Sequence, residues 1–262
     1  MTEPGCWGFS PQLDELLGHR VYQPQTVDAV LQDVAVRLTP DTASAWSAPP
    51  AFGDYQFEQL RSRRLLLTAI VDRLAILTNP NSYDRLQQIA NFTASIEHKF
   101  PSPDWPAAKG FYSSPDDFAW GGSEEQVIAK GSDWCAEVAR VYCGLTQVCG
   151  IPSRIVYTYS RDDGHVISEC FVDSEWVLVD PLSSKVYRDS AGEPVSSVRM
   201  ALAGREERAR LTQSHEGYYV DAAFFECVCV AEYRLCNATQ YSYALSPCND
   251  YYYRLLSPMW NR

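Results

Sequence analysis

Three residues in the middle of the chain have side chains suited to attack on a carbonyl. Cys135 lies in GSDWCAEVARVYCGLTQVCG, His165 in DDGHVISECFV and Asp180 in EWVLVDP. A thiolate is a carbonyl nucleophile, an imidazole moves its proton, and a carboxylate fixes the imidazole's tautomer and stabilises its charged form. Read in that order, Cys135 is the nucleophile, His165 the general base and acid, and Asp180 the orienting group.

Such a set works only if the elements carrying it converge. Val138, Ala139, Tyr142, Leu145 and Cys149 recur at three- and four-residue intervals, which predicts a helix. Asp133 is placed to cap its start, Gly150 to end it, and Pro152 prevents its continuation. Cys135 then sits in the first turn. There, unpaired N–H groups and the helix dipole stabilise a thiolate and can also donate to an oxyanion. Cys143 and Cys149 lie deeper in the same helix, as packing residues.

Ser153 to Tyr159 reads as a strand, and Arg161 to Gly164 as a turn into a second strand opened by His165. Alternation places His165, Ile167, Glu169 and Phe171 on one face and Val166, Ser168, Cys170 and Val172 on the other. Asp173-Ser174 is a two-residue hairpin turn into EWVLVD. Val172 then faces Glu175, Asp180 faces Ile167, and Asp180 is one diagonal step from His165. A slip of one residue would put the two on opposite faces.

The run G-x-x-x-C on a helix, then GIPSR, then Gly164-His165 with an acid four residues on, then W-V-x-V-D-P, resembles the transglutaminase-like superfamily. The resemblance covers roughly residues 80 to 190. It implies an α+β, papain-like core in which the nucleophile helix packs on an antiparallel sheet and a helix and two adjacent strands supply Cys135, His165 and Asp180. It also implies Glu169 as a hydrogen-bond acceptor near the base, and leaves the second oxyanion donor open, with Trp120 and Gln126 as candidates. The chain departs from the pattern at Ile167, where members often carry tryptophan, and at Asp133-Trp134 before the nucleophile. Trp134 and Trp105 are the expected substrate-pocket residues.

Around this core, residues 25–38 and 82–98 carry helical spacing, and residues 55–78 form the most apolar helical stretch. Residues 41–54 read as a surface connection and 99–122 as a proline-punctuated, aromatic loop able to wall a cleft. Lys185 to Arg188 reads as a short strand and Val195 to Arg210 as a charged helix. Residues 217–236 fit strand or helix, and a tyrosine-rich tail follows Gln240. The expected organisation is a helical extension over residues 1–80, a catalytic core over 81–190, and a segment over 191–262 that completes the same domain.

A net charge of −11 argues against nucleic acid as a partner. No apolar run is long enough to cross a membrane, and the start lacks a signal-peptide pattern, so a cytoplasmic location is expected. The nine cysteines then read mostly as buried thiols. Cys227-x-Cys229 does not have the usual zinc spacing, and no cofactor or metal is expected. The expected activity is cysteine-dependent acyl transfer at an amide or thioester, with hydrolysis of a small or peptide substrate first. Amide formation with an amine acceptor is the alternative, with a carrier protein as a further partner. An inactive binding module is the third reading.

Overall fold

The computed structural model describes residues 35–96, 124–130, 132, 135–160, 164–213, 222–233 and 235. Six described strands form one antiparallel sheet: β1 (Ala35–Arg37), β2 (Ser153–Tyr159), β3 (Gly164–Val172), β4 (Glu175–Asp180), β5 (Lys185–Val186) and β6 (Cys227–Glu232). Their spatial order is β1-β6-β2-β3-β4-β5. The described helices are α1 (Pro40–Ser47), α2 (Phe57–Arg63), α3 (Leu65–Arg73), α4 (Ser82–Ala94), α5 (Glu124–Lys130), α6 (Cys135–Val148), α7 (Ser197–Leu202) and α8 (Arg205–Gln213).

The central strands are buried on both faces, so they read as near-continuous burial and not as an alternation of wet and dry positions. On one face, Cys170 and Val172 pack with Val141, Tyr142 and Leu145 of α6, backed by Leu67, Leu86 and Ile89. Ser168 on that face donates to the Ala139 carbonyl at 3.2 Å. On the other face, Val156, Ile167, Leu178 and Val228 pack against Met200, Leu211 and Phe225.

The helix and the hairpin that carry the three chemical residues form as their local sequence dictates. Gly150 adopts φ 81 after α6. Its N–H bonds to the Gln147 carbonyl at 3.0 Å, and the Ile151 N–H bonds to that of Thr146 at 2.9 Å. This is the Schellman arrangement that a glycine at C′ favours. Asp173 and Ser174 have φ 51 and φ 70, the paired positive values of a type I′ turn. The turn sets Val172 opposite Glu175 and Ser168 opposite Val179. One step further, this register brings Asp180 opposite Ile167.

Elsewhere the fold differs from the local expectation. Within 25–38, Ala35–Arg37 is a strand paired with β6 through Val36 and Val230; residues 25–34 lie outside the described residues. The surface connection at 41–54 contains most of α1. The stretch 55–78 is not one helix. It breaks at Arg64, whose buried guanidinium binds Glu124 and Glu125, and again at Ala75, which takes φ 51. Leu60, Leu67, Val71 and Ile76 point inward, while Leu74 and Leu77 are exposed. The helix expected over 82–98 ends at Ala94, capped at its start by Asn81, which accepts from the Tyr83 and Asp84 N–H groups. Residues 195–210 divide into α7 and α8, and the ambiguous 217–236 becomes a 3-10 turn over Ala222–Glu226 followed by β6.

Covering both faces leaves charges inside, and on β2 and β3 two of them pair. Arg154 and Glu169 are direct cross-strand partners, with Nε to Oε2 at 2.7 Å. The Arg154 guanidinium lies 3.7 Å from the Trp176 ring centroid and 5.1 Å from that of Trp46, and donates to the Trp46 carbonyl at 2.8 Å. Glu169 also accepts from the Ser197 N–H at 2.6 Å and its hydroxyl at 2.7 Å, at the start of α7. The Arg154–Glu169 pair therefore ties two strands, α1 and α7. Glu169→Ala would leave a buried guanidinium without its carboxylate, a loss of about 3–5 kcal/mol. Urea unfolding measures it, and a loss below about 1 kcal/mol would rank the pair with surface bridges.

Candidate functional site

Cys135 opens α6, the helix start read from sequence, and the residue is 8% exposed. The first N–H groups of a helix lie outside its own hydrogen-bond ladder and can serve an acceptor beyond it. His165 is the second residue of β3 and is 7% exposed; Asp180 ends β4 and is fully buried.

His165 is set by its own neighbours. Gly164 faces Tyr159 across β2 and β3, and a Cβ added at Gly164 would stand 2.6 Å from the Tyr159 ring. The glycine therefore leaves the space that the tyrosine ring fills, directly before the histidine. His165 Nε2 lies 3.0 Å from Asp180 Oδ2. The other carboxylate oxygen, Oδ1, accepts from the Leu182 N–H at 3.0 Å and the Ser183 N–H at 3.4 Å, which locks the carboxylate plane. The imidazole also forms a side-chain hydrogen bond with Cys135. With Nε2 committed to Asp180, Nδ1 is the ring nitrogen left for the sulfur.

The electrostatics follow from burial against pairing. Burial disfavours a charged His165, but attraction and hydrogen bonding from Asp180, with Cys135 adding to both, outweigh it and raise the imidazole to about 10. Burial likewise works against the Asp180 carboxylate, yet His165 and the Ser183 amide hold it below the usual range. Desolvation pushes Cys143 and Cys149 up to about 12, and Cys170 well above the ordinary value. Lys185, directly across from Asp180, falls to about 8 through burial, against the pull of Asp180. Its ammonium lies 4.3 Å from the Tyr187 ring and donates to the Thr212 carbonyl at 3.4 Å.

Of the remaining residues expected at the site, Trp105, Trp120 and Trp134 lie outside the described residues. Gln126 falls within α5, and its side chain lies outside the description. The expectation for Glu169 is corrected. It shares a strand face with His165, but its oxygens are taken by Arg154 and Ser197, four residues further along the strand. It organises the sheet, not the base.

Two neighbours of the site were not foreseen. The Phe224 ring centroid lies 6.2 Å from that of His165, tilted by 58°. It comes from a segment whose periodicity left strand and helix undecided. Tyr159 was legible in principle, because continuing the β2–β3 pairing back from the turn places it against Gly164. Cys135 itself belongs to an apolar cluster with Tyr157, Tyr159, Val166, Cys227 and Cys229. Among the described residues no group of three or more His, Cys, Asp or Glu side chains is placed to hold a metal ion. No described helix is long and apolar enough to cross a membrane.

A helix start that presents a thiol to a histidine–aspartate pair on two adjacent strands of an antiparallel sheet defines an α+β fold with a papain-like arrangement. Residues 78–181 match the model of the transglutaminase-like superfamily, so this part of the chain is similar to that family. Comparison with curated proteins and with solved structures gave no significant match.

The charged imidazole is favoured by the fold, so its contribution to stability is complete below the ordinary value of 6.5 and is lost as pH rises through about 10. Asp180→Asn removes the main influence raising the imidazole and leaves burial in place. The His165 resonance in an NMR titration should then move down from about 10 toward 6.5 or below. The decline in urea midpoint above neutral pH should disappear with it. An unmoved resonance would show that Asp180 does not hold the ring.

Proposed function

We propose that the protein is a cysteine-dependent acyl-transfer enzyme in which Cys135 is the nucleophile, His165 the general base and acid, and Asp180 the group that orients His165. The transglutaminase-like match supports the reaction class, since cysteine-dependent acyl transfer is general in that superfamily. The observation that carries the assignment is the shared imidazole: one ring bonded to Asp180 and to the thiol at a helix start.

The chemistry follows from these positions. The Cys135 thiolate attacks the carbonyl carbon of an amide or thioester, and the oxyanion meets N–H groups at the start of α6. As the tetrahedral adduct collapses, the C–N or C–S bond breaks and the leaving group takes the imidazolium proton. The neutral imidazole then takes a proton from the acceptor, which attacks the acyl-enzyme and frees the thiolate. With water as acceptor the product is an acid, and hydrolysis of a small or peptide substrate is the first reading. With an amine the product is an amide. The low exposure of Cys135 and His165, 8% and 7%, favours keeping this second reading, because amine transfer depends on excluding water. The tyrosine-rich tail and the 99–122 loop, expected as walls, lie outside the described residues.

Intact-mass measurement with a panel of amide and thioester donors tests the assignment. The wild type should gain the acyl mass at Cys135. Cys135→Ala should show no such adduct and lose turnover at least about a thousandfold. An adduct that persists in Cys135→Ala would sink the proposal. Iodoacetamide near neutral pH should label Cys135 first among the described cysteines and leave Cys143 and Cys149 unmodified, in keeping with their raised thiols. Peptide mapping that finds Cys143 or Cys149 labelled ahead of Cys135 would count against it.

A further inference from the structure

We propose that Phe224 reads the leaving-group and acceptor side of the acyl-transfer site, and that this side takes an apolar, ring-sized group. The proposal rests on the roles assigned above to Cys135, His165 and Asp180. The imidazole gives a proton to the departing group and takes one from the incoming group. A side chain against the imidazole therefore borders those two groups, whereas the acyl chain stays on the sulfur.

Phe224 is such a side chain, with its ring centroid 6.2 Å from that of His165. The turn that carries it is anchored through the next residue. Phe225 is fully buried, meets the Tyr187 ring edge-on with centroids 6.2 Å apart, and accepts a hydrogen bond from Arg208 at its carbonyl. Phe224 itself is only partly buried. The turn thus holds Phe225 within the core and leaves Phe224, packed against that same core, partly buried beside His165.

The charges nearby do not favour a charged group there. On β4, Asp180 is engaged by His165 and by the 182–183 amides. On β5, the Lys185 ammonium faces the Tyr187 ring and the Thr212 carbonyl. On the α6 side, Cys135 sits among Tyr157, Tyr159 and Val166, with Leu182 packed against them. A charged leaving group or acceptor would lose hydration beside Phe224 without a matched partner on these elements, while an apolar ring would gain contact.

The test uses two pairs of thioesters with wild type, Phe224→Ala and Phe224→Leu in the full chain. The first pair shares an acetyl group and differs in the thiol, benzyl mercaptan against thioglycolate. The second shares benzyl mercaptan and differs in the acyl chain, acetyl against hexanoyl. Second-order rates of Cys135 acylation are read by thiol release and intact mass. Wild type should prefer the benzyl over the carboxymethyl leaving group by about tenfold or more, within the range a hydrophobic contact supplies. Phe224→Ala should reduce that preference to less than about threefold, with the acetyl-to-hexanoyl ratio unchanged. Phe224→Leu, which keeps an apolar side chain and protects the fold, should fall between. An unchanged leaving-group preference in Phe224→Ala overturns the proposal, and so does an equal shift in the acyl ratio. A uniform loss for every donor overturns it too, and would make Phe224 a shield of the His165–Asp180 bond. Wild type that forms no acyl-Cys135 with any donor removes the acyl-transfer reading and this one with it. That failure is distinct from acylation that ignores Phe224.

Discussion

The site depends on the register of one hairpin. Asp173 and Ser174 take positive φ, and the type I′ turn they form fixes Val172 opposite Glu175. Every later pair follows, up to the placement of Asp180 one diagonal step from His165. Since successive side chains on a strand point to opposite faces, a slip of one residue would move Asp180 to the other face. The imidazole would lose the carboxylate at 3.0 Å, and burial alone would then disfavour its charge. The geometry of the site is in this sense a consequence of the backbone conformations of Asp173 and Ser174, one hairpin strand away from Asp180.

Burial on both faces of the sheet makes the register hard to slip, and it also creates a cost. Polar groups on β2 and β3 have no water to fall back on, so each needs a fixed partner. Arg154 and Glu169 meet across the strands, and Glu169 reaches on to Ser197. On the helical side, Glu124 gathers Arg64, Arg140 and Tyr233. Burial pushes the Glu124 carboxylate toward its neutral form, but Arg140 and Arg64 hold it below its usual range. Because Glu124 lies on α5 and Arg140 on α6, this second cluster ties α5 to the helix that carries the thiol. Such pairs contribute little net stability over apolar packing, yet breaking one leaves a buried charge. Their effect is to make alternative arrangements expensive.

The sheet is completed from both sides of the transglutaminase-like stretch. β6 lies beside β2, and β1 lies beside β6. Cys227 and Cys229 on β6 share the apolar cluster of Cys135, and the 3-10 turn before β6 brings Phe224 to His165. The surroundings of Cys135 and His165 are therefore drawn in part from outside residues 78–181, the stretch that carries the family likeness. A shared core can in this way keep one reaction class while sequence beyond it shapes what enters the site.

The sequence by itself determined the candidate set of Cys135, His165 and Asp180, the helix that begins at Cys135, its termination at Gly150, and the hairpin with its register. These rest on short-range causes: helical spacing, a glycine able to adopt positive φ, and a two-residue turn that permits one pairing. Tertiary structure decided the rest. Glu169 shares a face with His165, but a guanidinium from the neighbouring strand and the start of α7 were close enough to claim it. Arg64 interrupts an apolar stretch that reads as one helix, because its charge meets Glu124 and Glu125. Ala35–Arg37 is a strand because β6 offers an unpaired edge. Phe224 reaches the base because β6 inserts next to β2, a pairing of segments some 70 residues apart. Local periodicity carries no record of contacts at that separation, and strands buried on both faces lose the alternation that would have marked them.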